Sequence, residues 1–317
     1  MLKKPACLIA LMWLLSLPVL AQQPRHLSLP GVKDLLGVGT LPPTQQGTAL
    51  ITPFTTVVYH FSSVDFPGGD LTDAFDTYLG TVVGGFQYNS SSRITGFTFH
   101  GGRYGSVVVP GSTATLITGI NSTSQMVGGY TDSSNVTHGF LDVAGTFSNV
   151  DFPGATATIA YDLNDGGNIV GGYTDAANVM HGFVDNAGSF APVDFPSATA
   201  TSTTAAGINA TGEIVGVWSD ATTSHGFTLI SGVYTSLDYP LAKSTTAIGV
   251  NDAGAVAGYF SDASGVLHGF VFSDGVFNQV DVPGASGTEL TRIKKGGLLV
   301  GVYIDALTET HGMTATR

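Results

Sequence analysis

Val150-Asp151-Phe152-Pro153-Gly154 stands near the middle of this 317-residue chain, and its copies on either side decide the fold. Upstream lie Val64-Asp65-Phe66-Pro67-Gly68 and the degenerate Val108-Val109-Pro110-Gly111. Downstream come Val193-Asp194-Phe195-Pro196-Ser197, Leu237-Asp238-Tyr239-Pro240 and Val280-Asp281-Val282-Pro283-Gly284. Successive prolines are 43, 43, 43, 44 and 43 residues apart. A step this regular marks a repeat architecture in which each unit is one supersecondary element stacked on its neighbours.

Within one unit the apolar runs are short. The third reads Ala160 to Asn164, Asn168 to Tyr173, His181 to Val184, then Phe190 to Phe195, with corners at Asp165-Gly166-Gly167 and Asn186-Ala187-Gly188. Runs of four to six residues rich in β-branched and aromatic types are strands, and such corners supply the positive φ that hairpins need. One unit is therefore a four-stranded antiparallel meander, with strands A, B, C and D from first to last. A four-stranded unit of about 40–45 residues fits a β-propeller blade. The paired glycines of Val127-Gly128-Gly129 and Val170-Gly171-Gly172 are expected where sheets approach closely.

The two ends of the repeat array choose between an open solenoid and a closed ring. The last copy stops at His311 to Arg317, a strand C without a D. Phe61-Ser62-Ser63-Val64-Asp65 is a strand D with no A, B or C before it. Joined, they complete one blade and close a ring, removing exposed sheet edges. The expectation is an all-β, six-bladed β-propeller of four-stranded antiparallel blades over residues 55–317, its last blade completed by an N-terminal strand.

Residues 1–21 read as a signal peptide: Lys3 and Lys4, an apolar run from Leu8 to Leu20, and small residues ending at Ala21. The run is shorter than the ~20 residues a membrane span requires. Residues 22–54 read as a linker, with four prolines between Gln22 and Thr48 and no periodicity. The single cysteine, Cys7, falls within the signal, so the exported chain has neither disulfides nor thiol chemistry. Net charge is −12, and the signal carries two of the basic residues. An acidic surface of this kind argues against nucleic acid and anionic membranes as partners. Charged residues make up 11%, against about 25% in ordinary globular proteins, so Gly, Ser and Thr carry the solvation.

The words Gly119-Ile120-Asn121, Gly207-Ile208-Asn209, Val127-Gly128-Gly129-Tyr130, His138-Gly139-Phe140 and His268-Gly269-Phe270 resemble the bacterial extracellular repeat family named for its His-Ala-Phe motif. The likeness runs from Val64 to the C-terminus, with Gly in place of the family's Ala. It implies export and a repeat-built β fold, and it supplies no catalytic residue.

Five histidines share one repeat position: His138, His181, His225, His268 and His311; the first repeat has Thr95 there. Strands are about 4.8 Å apart, which puts strand C roughly 10 Å outside strand A. Equivalent histidines on neighbouring blades are then too far apart to share a metal with ~2.0–2.1 Å bonds. Each follows an aspartate by five or six residues (Asp132, Asp175, Asp220, Asp262 and Asp305). The pair is expected to pin the loop between strands B and C. No serine or cysteine nucleophile is marked beside these pairs. The Asp/Asn-rich loops offer one carboxylate each, against the 6–8 oxygens calcium takes, and read as turns. No cofactor and no metal is expected.

Strand A, innermost, breaks the repeat where Asp73 and Asp76, Tyr161 and Asp162, and Arg292 replace small or aliphatic residues. Ring closure makes the first and last blades neighbours, so Asp73 and Asp76 are expected near Arg292. These five residues are the candidate ligand site; the plainer reading is a structural ion pair, with Lys294 and Lys295 on a solvated hairpin. The composite expectation is a secreted or periplasmic monomer. It would be a non-catalytic module binding glycans or extracellular proteins, through the face carrying the B–C and D–A loops. The alternative is a glycan-active hydrolase or lyase at the channel mouth.

Overall fold

The computed structural model describes residues 58–88 and 93–317. The signal peptide, the linker and residues 55–57 of the expected propeller lie outside the described residues. Among those described are 24 strands and one short 3-10 turn, Lys295–Gly297. None forms a helix long and apolar enough to cross a membrane.

The strands form six four-stranded antiparallel blades. Blade 3 is typical: A Ala157–Leu163, B Asn168–Thr174, C Met180–Asn186 and D Ser189–Val193, each paired to the next. The A strands of blades 1, 2, 4, 5 and 6 are Leu71–Tyr78, Ala114–Ile120, Ser202–Ile208, Ser244–Val250 and Gly287–Ile293. Blade 6 continues through Leu299–Ile304 and Thr310–Thr316, and its fourth strand is His60–Val64, antiparallel from His60 against Thr316 to Val64 against Gly312. The ring thus closes by pairing the two ends of the repeat array. One parallel bridge, Leu71 to Thr310, also joins the sheets of blades 1 and 6.

Strand A begins earlier than its apolar run. In blade 3 Ala157 already pairs with Thr174, although Ala-Thr-Ala-Thr reads as loop. The reason is a threonine hook. Thr158 Oγ1 accepts the Phe152 amide at 3.1 Å, and Thr72, Thr115, Thr203, Thr245 and Thr288 do the same for Phe66, Val109, Phe195, Tyr239 and Val282. Blade 4 takes two extra residues in this D–A crossing and one fewer in its B–C loop, which accounts for the single 44-residue step.

The core lies between blades. The Phe of each His-Gly-Phe word is fully buried (Phe140, Phe183, Phe227 and Phe270), as is Phe97 in blade 1. A Cβ at Gly129 of an expected pair would meet Ile159 of the next blade at 3.4 Å, and the glycine of the His-Gly-Phe word comes closer still. A Cβ at Gly182 would sit 3.0 Å from the Ala205 amide of the next blade, whereas one at Gly128 would strike the Phe140 ring of its own blade at 2.9 Å. Gly182 is mid-strand, and a Cβ there would first strike Val193 O of its own blade, so Gly in place of Ala answers to packing within the blade as well as between blades.

Candidate functional site

Every strand A carries a β-bulge at the same level, at Phe75, Thr118, Tyr161, Ala206, Ile248 and Thr291. A bulge re-aims the residue that follows it. The six re-aimed positions are Asp76, Gly119, Asp162, Gly207, Gly249 and Arg292, in blade order. Glycine is required beside the charged residues: a Cβ at Gly249 would lie 2.7 Å from Arg292 Cα, and one at Gly119 3.1 Å from Asp162 Cα.

The three charged side chains fasten the blades together. Asp76 Oδ2 accepts the Ile120 amide of blade 2 at 2.9 Å, and Asp162 Oδ2 accepts the Ile208 amide of blade 4 at 3.0 Å. Arg292 donates to Ile248 O (3.3 Å, blade 5), Thr118 O (3.2 Å, blade 2) and Tyr161 O (2.7 Å, blade 3). Its guanidinium lies 3.4 Å from Asp162 Oδ1 and 3.9 Å from Asp76 Oδ2. Lys294 Nζ completes the group 2.7 Å from Asp76 Oδ1, so two carboxylates face two cations. Burial raises the Asp162 carboxyl above its usual range, with Arg292 opposing the shift, and burial also pushes the Tyr161 phenol up.

Of the five expected ligand residues, then, the structure brings Asp76, Asp162 and Arg292 together, with Tyr161 joining through its carbonyl. Asp73 is buried on the far side of the bulge in the same strand. Lys294 stands with Lys295 on the A–B hairpin, as expected, but its side chain turns back to Asp76. All five expected residues are at most 9% exposed.

The residues one step further along strand A line a central funnel of about 450 Å³. Its inner ring is Ile120, Leu163, Ile208, Val250 and Ile293, with Thr77 in blade 1; beyond it come Asn121, Asn164, Asn209, Asn251 and Lys294. These asparagines form a ladder. Asn164 Nδ2 donates to Asn209 O at 3.0 Å and Asn209 Nδ2 to Asn251 O at 3.1 Å, while each Oδ1 caps its own A–B turn. Asp165, Asp252 and Lys295 stand at the rim. The funnel opens among the A–B turns, opposite the face carrying the B–C and D–A loops.

On that other face each repeated histidine lies between two carboxylates. The nearer is not the expected loop aspartate but the aspartate of the repeated phrase. Nδ1 of His138, His181, His225, His268 and His311 is 2.9, 3.1, 2.9, 2.8 and 3.0 Å from Asp151, Asp194, Asp238, Asp281 and Asp65. The loop aspartates Asp132, Asp175, Asp220, Asp262 and Asp305 stand 3.8, 3.5, 3.6, 3.8 and 3.7 Å from Nε2. They close their loops through backbone instead: Asp132 Oδ1 accepts the Ser134 and Val136 amides, both at 2.8 Å. Those amides hold the Asp132, Asp175, Asp262 and Asp305 carboxyls below the usual range. The Thr222 hydroxyl and amide bring Asp220 down to about 2. Blade 1 carried the missed signal: it lacks the histidine (Thr95), the phrase aspartate (Val108) and the loop aspartate (Tyr88) together.

No family model matches the chain, and no curated protein matches it. Solved structures do. The chain is similar to the fucose-specific lectin of Aleuria aurantia, a six-bladed β-propeller, at 11% identity with a TM-score of 0.51, over 80% of this chain and 93% of the lectin. A point mutant of that lectin in complex with α-methyl-L-fucoside matches at 12% identity and a TM-score of 0.50, with coverage of 80% and 93%. Virginiamycin B lyase from Staphylococcus aureus matches at 10% identity and a TM-score of 0.48, over 82% of this chain and all of the lyase. The lectin likeness establishes the fold class, a six-bladed β-propeller, and at these identities nothing further.

Proposed function

We propose that this chain is an exported, non-catalytic binding propeller that takes a sugar-sized polar ligand, such as a terminal glycan unit, in its axial funnel. The observation that carries the reading is the funnel itself. An aliphatic floor beneath a wall of amides and a charged rim suits a ligand with one apolar face and several hydroxyls, and about 450 Å³ lies in the range of small-molecule sites. The axial carboxylates argue against the hydrolase or lyase alternative. Each oxygen of Asp76 and Asp162 already accepts a backbone amide. A general acid or base must exchange a proton with substrate, whereas these buried carboxylates are turned to backbone amides, Arg292 and Lys294. The glycan-bound lectins are consistent with this reading through the fold they share, and the His-Gly-Phe words and the signal segment support export.

A glycan array run beside a hydrolysis assay on the same glycans tests the proposal. Binding without turnover, abolished by Asn251→Leu and retained in His181→Thr, is the expected result. Turnover of any bound glycan, or binding indifferent to Asn251→Leu, overturns it.

A further inference from the structure

The loop between strands B and C departs from its siblings in blade 6. Blades 2, 3 and 5 run Asp132 to Val136 to His138, Asp175 to Val179 to His181, and Asp262 to Val266 to His268. Blade 6 keeps that frame, Asp305 and His311, but puts Glu309 where the others carry valine. A second carboxylate thus joins a histidine–aspartate pair already in place. One oxygen each of Asp305 and Glu309 and one ring nitrogen of His311 lie within 4.8 Å of one another.

The histidine is set up to be a ligand. His311 Nδ1 is 3.0 Å from Asp65 Oδ1, a contact that orients the ring and turns Nε2 toward Asp305. Nε2 stands 3.7 Å from Asp305 Oδ2, beyond ordinary hydrogen-bond length. Two ligands on one tetrahedral ion with ~2.1 Å bonds stand about 3.4 Å apart, so a closure of a few tenths of an ångström admits a cation between them. Asp305 Oδ1 is occupied by the Leu307 and Glu309 amides, both at 2.8 Å, which holds the loop in shape and leaves Oδ2 to the ion.

We propose that Asp305, Glu309 and His311 form a site for one divalent transition cation, with Asp65 as the outer carboxylate that orients the imidazole. One nitrogen and two carboxylates suit zinc or its neighbours, whereas calcium takes 6–8 oxygens. A carboxylate behind a ligating histidine is the usual arrangement in zinc sites. Three protein ligands leave a coordination position for water or an oxygen of a bound molecule. The expectation of no metal rests on the distance between blades and on loops that offer one carboxylate each; this trio sits within one blade, and its loop carries two. Its place matters mechanically. Asp65 follows the N-terminal strand His60–Val64 and the three ligands belong to the last blade, so the ion would fasten the seam that closes the ring.

The test is zinc titration of the untagged, chelator-stripped full chain by calorimetry, with thermal melting in parallel. The expected result is one equivalent bound and a raised Tm. Glu309→Val, which installs the residue of the sibling blades and so keeps the fold, should lose the Tm shift and the binding heat. Asp65→Asn should weaken binding about 10–100-fold. Absence of binding, uptake of four or five equivalents shared among all the histidine–aspartate pairs, or unchanged binding by Glu309→Val overturns the proposal.

Discussion

Arg292 is the single residue on which most of the axis depends. It reaches acceptors in blades 2, 3 and 5 and faces two buried carboxylates. Removing one partner of a buried ionic group leaves the others uncompensated, which typically costs 3–5 kcal/mol. Arg292→Ala is expected to destabilise by about 3–5 kcal/mol in urea unfolding. Lys294→Met, at a position where the side chain is 29% exposed, is expected to cost clearly less. Equal losses would mean that Arg292 does not organise the cluster.

The loop aspartates make a pH prediction at the same scale. Their folded pKa values lie below the unfolded value of about 3.9, so their contribution is complete above that value and is lost as pH falls through the folded one. For Asp220 that limit is about 2. Tm should therefore fall between roughly pH 5 and pH 2, and Asp220→Asn should flatten part of the fall. Asp162, raised by burial, acts in the opposite sense, because protonation relieves its desolvation. An acid-induced loss that vanished in an Asp162→Asn chain would contradict this assignment.

At the scale of the element, the repeated phrase is a joint with three attachments. Its aspartate holds the histidine of strand C, the amide of its aromatic position is hooked by the threonine that opens the next strand A, and its ring stacks on the next blade. Phe152 lies 3.7 Å from Tyr173, whose other face carries His181 at 5.1 Å; Phe195, Trp218 and His225 repeat the stack at 4.5 and 4.3 Å. Thr158→Val removes one hook and keeps the shape, so a loss of about 1 kcal/mol is expected on chemical unfolding. The Val-Asp-Phe-Pro spacing made the joint visible in the sequence. Its partners were not visible, because the histidine meets an aspartate 13 residues on only after the C–D hairpin folds back.

At the scale of the molecule, closure rests on His60–Val64 pairing with Thr310–Thr316. A chain beginning at Gly69 would leave that last strand as an open edge and strip Phe86 of its stack with Phe66, 3.6 Å away. Such a chain is expected to associate through the edge and lose cooperative unfolding, checked by light scattering and thermal melting. A monomeric, cooperatively folding product would show that closure is dispensable.

The amino-acid sequence by itself determined the repeat, the four-stranded unit, the six blades and the way the ends meet, because period, strand length and turn chemistry are local properties that recur. It also marked Asp76, Asp162 and Arg292 as departures from the pattern. Only the tertiary structure decided what the departures do. The bulge in strand A turns them to the axis, where they bind blades together beneath the funnel wall. It also brought Glu309 to a histidine oriented from the opposite end of the chain. Which side chains converge is set by ring closure and by bulge geometry, and neither is written in the spacing of residues along one strand.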